Sequence, residues 1–298
     1  MKYNQLGNSD LRVGEIGFGC MSLGEDHAQN ANVLHRALDG GINLFDTADL
    51  YGKGHNEISV GRAFKGMRQK VVLATKVGNQ WRQDGSGWDW NPNKAYILQA
   101  AEESLQRLQT DYLDLYQLHG GTLDDPTDET IEAFEQLRQQ GKIRHYGLSS
   151  IRPNVIREYV QRSNIAGVMM QYSLLDRRPE ESCLALLSQH RIGVLARGSL
   201  AKGLLVNKPA APYLDYSEAE VRQATTAVRA LTDNERNAAG VALRFTLSHP
   251  AVTSAVVGIR TPGQLAEVLL AGDAPPLTPE EVRRLTESVR INAYAEHR

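Results

Sequence analysis

Cysteine is nearly absent from this 298-residue chain: Cys20 and Cys183 are the only two, far apart in sequence. That excludes a disulfide framework and points to a reducing compartment, the cytoplasm. Neither sign of charge predominates, the formal net charge being -2, so the electrostatic footprint of a nucleic-acid binder is missing. No apolar run is long enough to span a bilayer, and no membrane partner is expected. The opening MKYNQLGNSD has no apolar core of a signal peptide. The eight histidines form no metal-spaced cluster, and neither HExxH nor CxxC occurs, so no metal is expected. The glycines of GFGCMSLG are spaced GxGxxxxG rather than GxGxxG, which removes the fingerprint of a Rossmann dinucleotide site. What is left, 41% hydrophobic and 23% charged, is the composition of a soluble globular protein, long enough for one large barrel or two ordinary domains.

What is present is an alternation. Short β-type runs occur at 15–21, 43–48, 71–77, 112–119, 143–150, 167–175, 193–199 and 254–259, with amphipathic segments between them, such as AYILQAAEESLQRL at 95–108. Eight strands separated by helical segments imply parallel βαβ units, and eight such units close into a (β/α)8 TIM barrel. A doubly wound open sheet is the alternative; it usually has fewer strands, and nothing marks a switch point. No linker or low-complexity segment interrupts the chain, so 1–298 is expected to form a single domain. YNQLGNSDLRVG reads as a hairpin turning at Gly7–Asn8 that could plug the bottom of the barrel. Two loops are longer than the rest, 79–92 with Trp81, Trp88 and Trp90, and 203–217.

The active site of such a barrel lies at the C-terminal ends of its strands. There the sequence places Asp46 after strand two, Lys76 after strand three and His119 after strand four, with Tyr51 in the loop beyond Asp46. Each has an ordinary explanation. Asp46 could cap a helix, Lys76 could snorkel out of the barrel mouth, His119 could be a satisfied buried histidine, and Tyr51 could simply pack. Three consecutive strands delivering these groups to one rim make the ordinary explanations jointly weak. A Lys76 ammonium would lower the pKa of the Tyr51 phenol, and Asp46 would hold Lys76 charged and in place. His119 can donate a hydrogen bond to a substrate oxygen. That set suits protonation of a carbonyl oxygen as it becomes an alkoxide. No side chain supplies a hydride; a nicotinamide cofactor does.

With NLFDTADLYGKGHNE, LATKVG and DLYQLH in this order and spacing, the chain resembles the aldo-keto reductases along nearly its whole length. The resemblance implies the same barrel and NADPH-dependent reduction of an aldehyde or ketone, NADH being a weaker possibility. Tyr51 would be the general acid, Lys76 and Asp46 would set its pKa, and His119 would orient the carbonyl. By the same resemblance, Gly19, Cys20 and Met21, together with Asp46, fall beside the nicotinamide ribose, and Ser149, Ser150 and Gln171 at the carboxamide. Arg197, Gly198, Ser199, Leu200, Gly203 and Lys208 fall around the pyrophosphate. Gly258, Arg260 and Gln264 fall at the 2′-phosphate and Glu267 at the adenine. Arg suits phosphate, and the helix start after Pro262 would offer free N–H groups. The chain departs from the family at Arg197, where many members carry an aromatic, and at Ser150 and Val268.

The substrate pocket is the part the sequence says least about. Trp81 and Trp88, beside Tyr51 and His119, could wall it for a bulky carbonyl, or pack their loop onto the barrel. Two other functions fit the same scaffold. One is a cofactor-binding regulatory protein with slow turnover, as in the potassium-channel β subunits. The other is a Schiff-base aldolase using Lys76, against which the Asp46 partner argues by keeping that amine protonated.

Overall fold

The computed structural model describes all 298 residues. Eight parallel strands form a closed barrel: β1 (Ile16–Gly19), β2 (Leu44–Asp46), β3 (Val72–Val77), β4 (Leu113–Leu118), β5 (Ile143–Ser149), β6 (Gly167–Gln171), β7 (Gly193–Arg197) and β8 (Val252–Gly258). Each strand pairs with the next in sequence, and β8 returns to β1 in the register Ala255↔Ile16 to Gly258↔Gly19. The strands are buried Val, Leu, Ile and Ala runs because helices cover one face and the barrel interior the other. The helices are α1 (His27–Asp39), α2 (His55–Ala63), α3 (Lys94–Leu108), α4 (Thr127–Gln139), α5 (Pro153–Arg162), α6 (Cys183–Gln189), α7 (Glu218–Arg229), α8 (Ala238–Ser248), α9 (Pro262–Asp273) and α10 (Pro279–Glu287). In α3, Ile97, Ala100, Ala101, Ser104, Leu105 and Leu108 face inward at helical spacing. It stops where Gln109 adopts a left-handed conformation, φ 53°.

The expected strands all form, with shifted ends. β1 stops at Gly19, since Cys20–Ser22 winds into a single 3-10 turn. β6 stops at Gln171, and β8 begins at Val252. The segment expected as a long loop over 79–92 is an antiparallel hairpin, Asn79–Trp81 against Trp88–Trp90.

The N-terminal hairpin, Tyr3–Gln5 against Arg12–Gly14, plugs the barrel. Its Leu6, Leu11 and Val13 form one buried cluster with Leu44, Ala74, Leu115, Met169, Leu195 and Val256 from the strands. Glycine is required where the turn meets the strand ends. A Cβ on Gly7 would lie 2.4 Å from the Ala166 carbonyl oxygen, and one on Gly193 would lie 2.5 Å from Leu6 Cδ1. With that end closed, the C-terminal ends of the strands form the open mouth. No helix is long and apolar enough to cross a membrane.

Candidate active site

The buried run of β2 ends in Asp46, only 4% exposed, and β3 brings Lys76, 1% exposed, beside it. Lys76 Nζ donates to Asp46 Oδ2 at 2.6 Å and to the Thr47 carbonyl at 2.7 Å. The same ammonium donates to the Tyr51 hydroxyl at 3.5 Å. Gln117 Nε2, on β4, holds the other Asp46 oxygen at 3.3 Å. Burial pulls the Lys76 amine down, but the Asp46 carboxylate, followed by Tyr51, outweighs it and leaves its pKa above the ordinary value.

Tyr51 opens a tight turn in which Gly52 (φ 57°), Lys53 (φ 54°) and Gly54 (φ 87°) are all left-handed. The phenol packs edge-on to His119, with 5.9 Å between ring centroids. Here the structure reverses one expectation. The net pKa of Tyr51 lies above the ordinary phenol value, because burial outweighs the downward pull of the Lys76 ammonium. Burial, then the Lys76 and Arg197 charges, presses His119 down to about 3, so its imidazole is neutral at physiological pH.

A second layer fixes these groups. Glu57, fully buried on α2 (His55–Ala63), accepts from Thr75 Oγ1 at 2.5 Å and from Arg107 Nε on α3 at 2.6 Å. Thr75 immediately precedes Lys76, so α2 and α3 both brace the strand end that carries the ammonium. Asn56 accepts from Thr47 Oγ1 at 2.6 Å and donates to the Cys20 carbonyl at 2.8 Å. Asp49, between Asp46 and Tyr51, is pushed up to about 8 by burial and the Glu57 carboxylate.

A cavity of about 430 Å³ runs from Asp46 and Tyr51 along the ends of β6, β7 and β8. Of the residues expected at a cofactor, Gly19, Met21, Gln171, Arg197, Gly198, Ser199, Leu200, Gly203, Lys208, Gly258, Gln264 and Glu267 line it. Others lie elsewhere. Cys20 is fully buried with its thiol toward the Phe18 carbonyl. Ser149 and Ser150 are buried at the end of β5, where Ser150 N donates to the Met169 carbonyl. Arg260 is exposed and donates through Nε to the Ser22 carbonyl at 3.2 Å. The N–H groups expected to be free after Pro262 are partly spoken for, because Thr261 and Gln264 form a capping box at the start of α9 (Pro262–Asp273).

The sequence reading missed Ser22, Lys202, Asn207 and Tyr213 in the cavity wall; Val268, noted there only as a departure from the family, lines it as well. Lys202 was within reach, lying inside the ARGSLAKGLLVNK stretch that runs to Lys208; Tyr213 comes from farther along the chain, and Gln171 donates to its hydroxyl at 3.1 Å. The tryptophans divide. Trp81 Nε1 donates to the Leu50 carbonyl at 3.2 Å, with Lys53 Nζ 5.0 Å from its ring centroid, so it ties the hairpin to the Tyr51 turn. Trp88 is 48% exposed and walls no part of the cavity; it is paired with Trp81, two pairs farther along the hairpin than Asn79–Trp90.

The described residues fit a dinucleotide. The cavity is lined from Asp46 and Tyr51 to Gln264 and Glu267, carries Arg197, Lys202 and Lys208, and includes Ser199, whose buried Oγ has no protein partner. Comparison with known proteins agrees. The model of the aldo/keto reductase family matches residues 15–290. The chain is 48% identical to the uncharacterized oxidoreductase YqkF of Bacillus subtilis (strain 168), over all of both chains. The fold is similar to the holo form of the aldo-keto reductase AKR11C1 from Bacillus halodurans, with a TM-score of 0.94, 50% identity, and 100% and 99% of the two chains covered. It is similar also to an aldo/keto reductase from Klebsiella pneumoniae solved with NADP and acetate, at a TM-score of 0.77, 29% identity, and 97% and 96% coverage.

Proposed function

This chain belongs to the aldo/keto reductase family of oxidoreductases, and from that premise we propose that it reduces aldehydes or ketones to alcohols with NADPH, taking the proton from Tyr51. The observation that carries the reading is the Asp46–Lys76–Tyr51 chain of contacts, with His119 against the phenol, at the head of the cavity. The nicotinamide, when bound, supplies the hydride that no side chain can. Arg197 through Leu200, Gly203, Lys202 and Lys208 would hold its phosphates, and Gln264 and Glu267 its adenosine end.

The carbonyl oxygen sits within reach of the Tyr51 hydroxyl and the His119 imidazole. A neutral imidazole has one N–H to donate, and it orients and polarises that oxygen. As negative charge grows on the oxygen, Tyr51 gives up its proton and becomes a phenolate beside the Lys76 ammonium. Asp46 keeps Lys76 charged, so the phenolate is stabilised at the moment it forms. The raised pKa of the resting phenol means that Tyr51 is fully protonated and ready to donate at neutral pH. The same ion pair disfavours Schiff-base chemistry, since Lys76 lacks a free amine.

The test is NADPH oxidation by the purified protein with an activated aromatic aldehyde, run beside Tyr51→Phe and with NADH as a comparison. The expected result is turnover that falls by at least about 100-fold in the variant. Tight NADPH binding without turnover would instead favour a regulatory protein.

A further inference from the structure

The 79–90 hairpin meets the loop after β4 through two residues that are cross-strand partners, Asn79 and Trp90. Asn79 Nδ2 donates to the His119 carbonyl at 3.3 Å. Trp90 lies over the glycines at the ends of β3 and β4. A Cβ on Gly78 would come 2.6 Å from indole Cζ3, and one on Gly120 would come 3.1 Å from the same atom. These glycines have φ of +121° and +146°, a region that favours glycine. The indole Nε1 donates to Asp125 Oδ1 at 2.8 Å. Asp125 also accepts from the Thr122 N–H and hydroxyl, each at 2.7 Å, so the loop that begins at His119 is tied back onto the ring. His119 N donates to the Val77 carbonyl at 2.7 Å, and Asn91 N donates to the Gly78 carbonyl at 2.7 Å. None of Asn79, Trp90 and Asp125 lines the cofactor cavity.

We propose that Trp90 is a positioning residue for His119: its indole, clamped by Asp125, fixes the backbone at Gly78 and Gly120 and keeps water off the imidazole. The proposal deepens the reductase reading and rests on it for the role of His119. The groups that face His119 are the Tyr51 ring from the loop after β2, Lys76 from β3 and Arg197 from β7. Burial is the first cause of its low pKa, so lifting the ring lets the imidazole titrate nearer its ordinary range.

The experiment combines kinetics with a 15N-imidazole NMR titration of the wild type, Trp90→Phe and Trp90→Ala, with the His119 signal assigned from His119→Asn. In the wild type His119 should not titrate between about pH 5 and 8. In Trp90→Ala it should titrate there, and kcat should fall about tenfold or more, while the Kd for NADPH holds within about twofold. Trp90→Phe keeps a ring over the glycines but loses the bond to Asp125, and should fall between the two. A His119 that stays silent in Trp90→Ala, with kcat near that of the wild type, overturns the proposal. If Trp90→Ala fails to fold, an unchanged Trp90→Phe in both readouts overturns it equally. A wild type that turns over no carbonyl with NADPH would refute the reductase reading alone, because the titration still decides whether Trp90 shelters His119.

Discussion

Arg197 is the residue whose chemistry departs most from expectation for this site. Its Nη1 donates to Gln171 Oε1 at 2.9 Å, which holds a fixed positive charge in the cavity wall. A cation there disfavours the positively charged oxidised nicotinamide. Arg197→Trp should therefore tighten NADP+ relative to NADPH by roughly fivefold, about 1 kcal/mol, read by fluorescence titration of both forms; an unchanged ratio would sink the idea. The protonation states at the mouth make a second prediction. His119 titrates at about 3, while Tyr51 and Lys76 both lie above their ordinary values. The acid Tyr51 is protonated, and His119 neutral, from well above about pH 3 up to neutrality. The kcat for carbonyl reduction should accordingly be flat from about pH 5 to 7. A break near 6.5, the ordinary histidine value, would show that the imidazole is wetter than its burial here implies.

At the scale of elements, helix ends and helix-to-strand ion pairs decide where the site residues stand. Glu57 links α2, α3 and β3 through one buried carboxylate. The last helix, α10 (Pro279–Glu287), is docked in a similar way. Thr278 and Glu281 form a capping box, and Glu281 also takes Arg236 Nη1 at 3.0 Å and Nη2 at 2.5 Å. These bonds, Arg236 first, hold the Glu281 carboxyl at about 2. Its pKa is depressed on folding, so its stabilisation is complete above the unfolded value, roughly 4.3, and is lost as pH falls from there through about 2. Glu281→Gln should lower Tm at pH 7 by the equivalent of about 1 kcal/mol, and the gap to the wild type should close towards pH 2 in thermal melts. A gap of equal size at both pH values would mean that packing, not the ionised pair, holds the helix.

For the molecule as a whole, the closed end of the barrel sets which end can work. Leu6 enters the interior from below, between strand ends kept bare by Gly167 and Gly193. Leu6→Ala should cost about 2–5 kcal/mol, measured by denaturant unfolding, because the strands cannot collapse into the space left. Gly193→Val should cost at least as much, since Leu6 and the Gly7 backbone occupy its place. Both variants should leave the Kd for NADPH little changed, as only Met169 and Val256 of the residues clustered with Leu6 also line the cavity.

The sequence by itself determined the strand count, the barrel and the four groups at its mouth. It could do so because each depends on a local pattern: an apolar run of β type that breaks abruptly at Asp46, Lys76 or His119, repeated at regular intervals. Tertiary structure alone decided the rest. The Lys76 ammonium lowers the Tyr51 pKa in any arrangement, but how far burial pushes back is a property of the assembled rim, and burial wins. Trp81, Trp88 and Trp90 are equivalent in sequence; only the hairpin register sends Trp90 onto Gly78 and Gly120 and leaves Trp88 in water. Tyr213 and Lys202 reach the cavity, and Cys20 misses it, because loop paths are set by contacts between segments far apart in the chain, which no local pattern records.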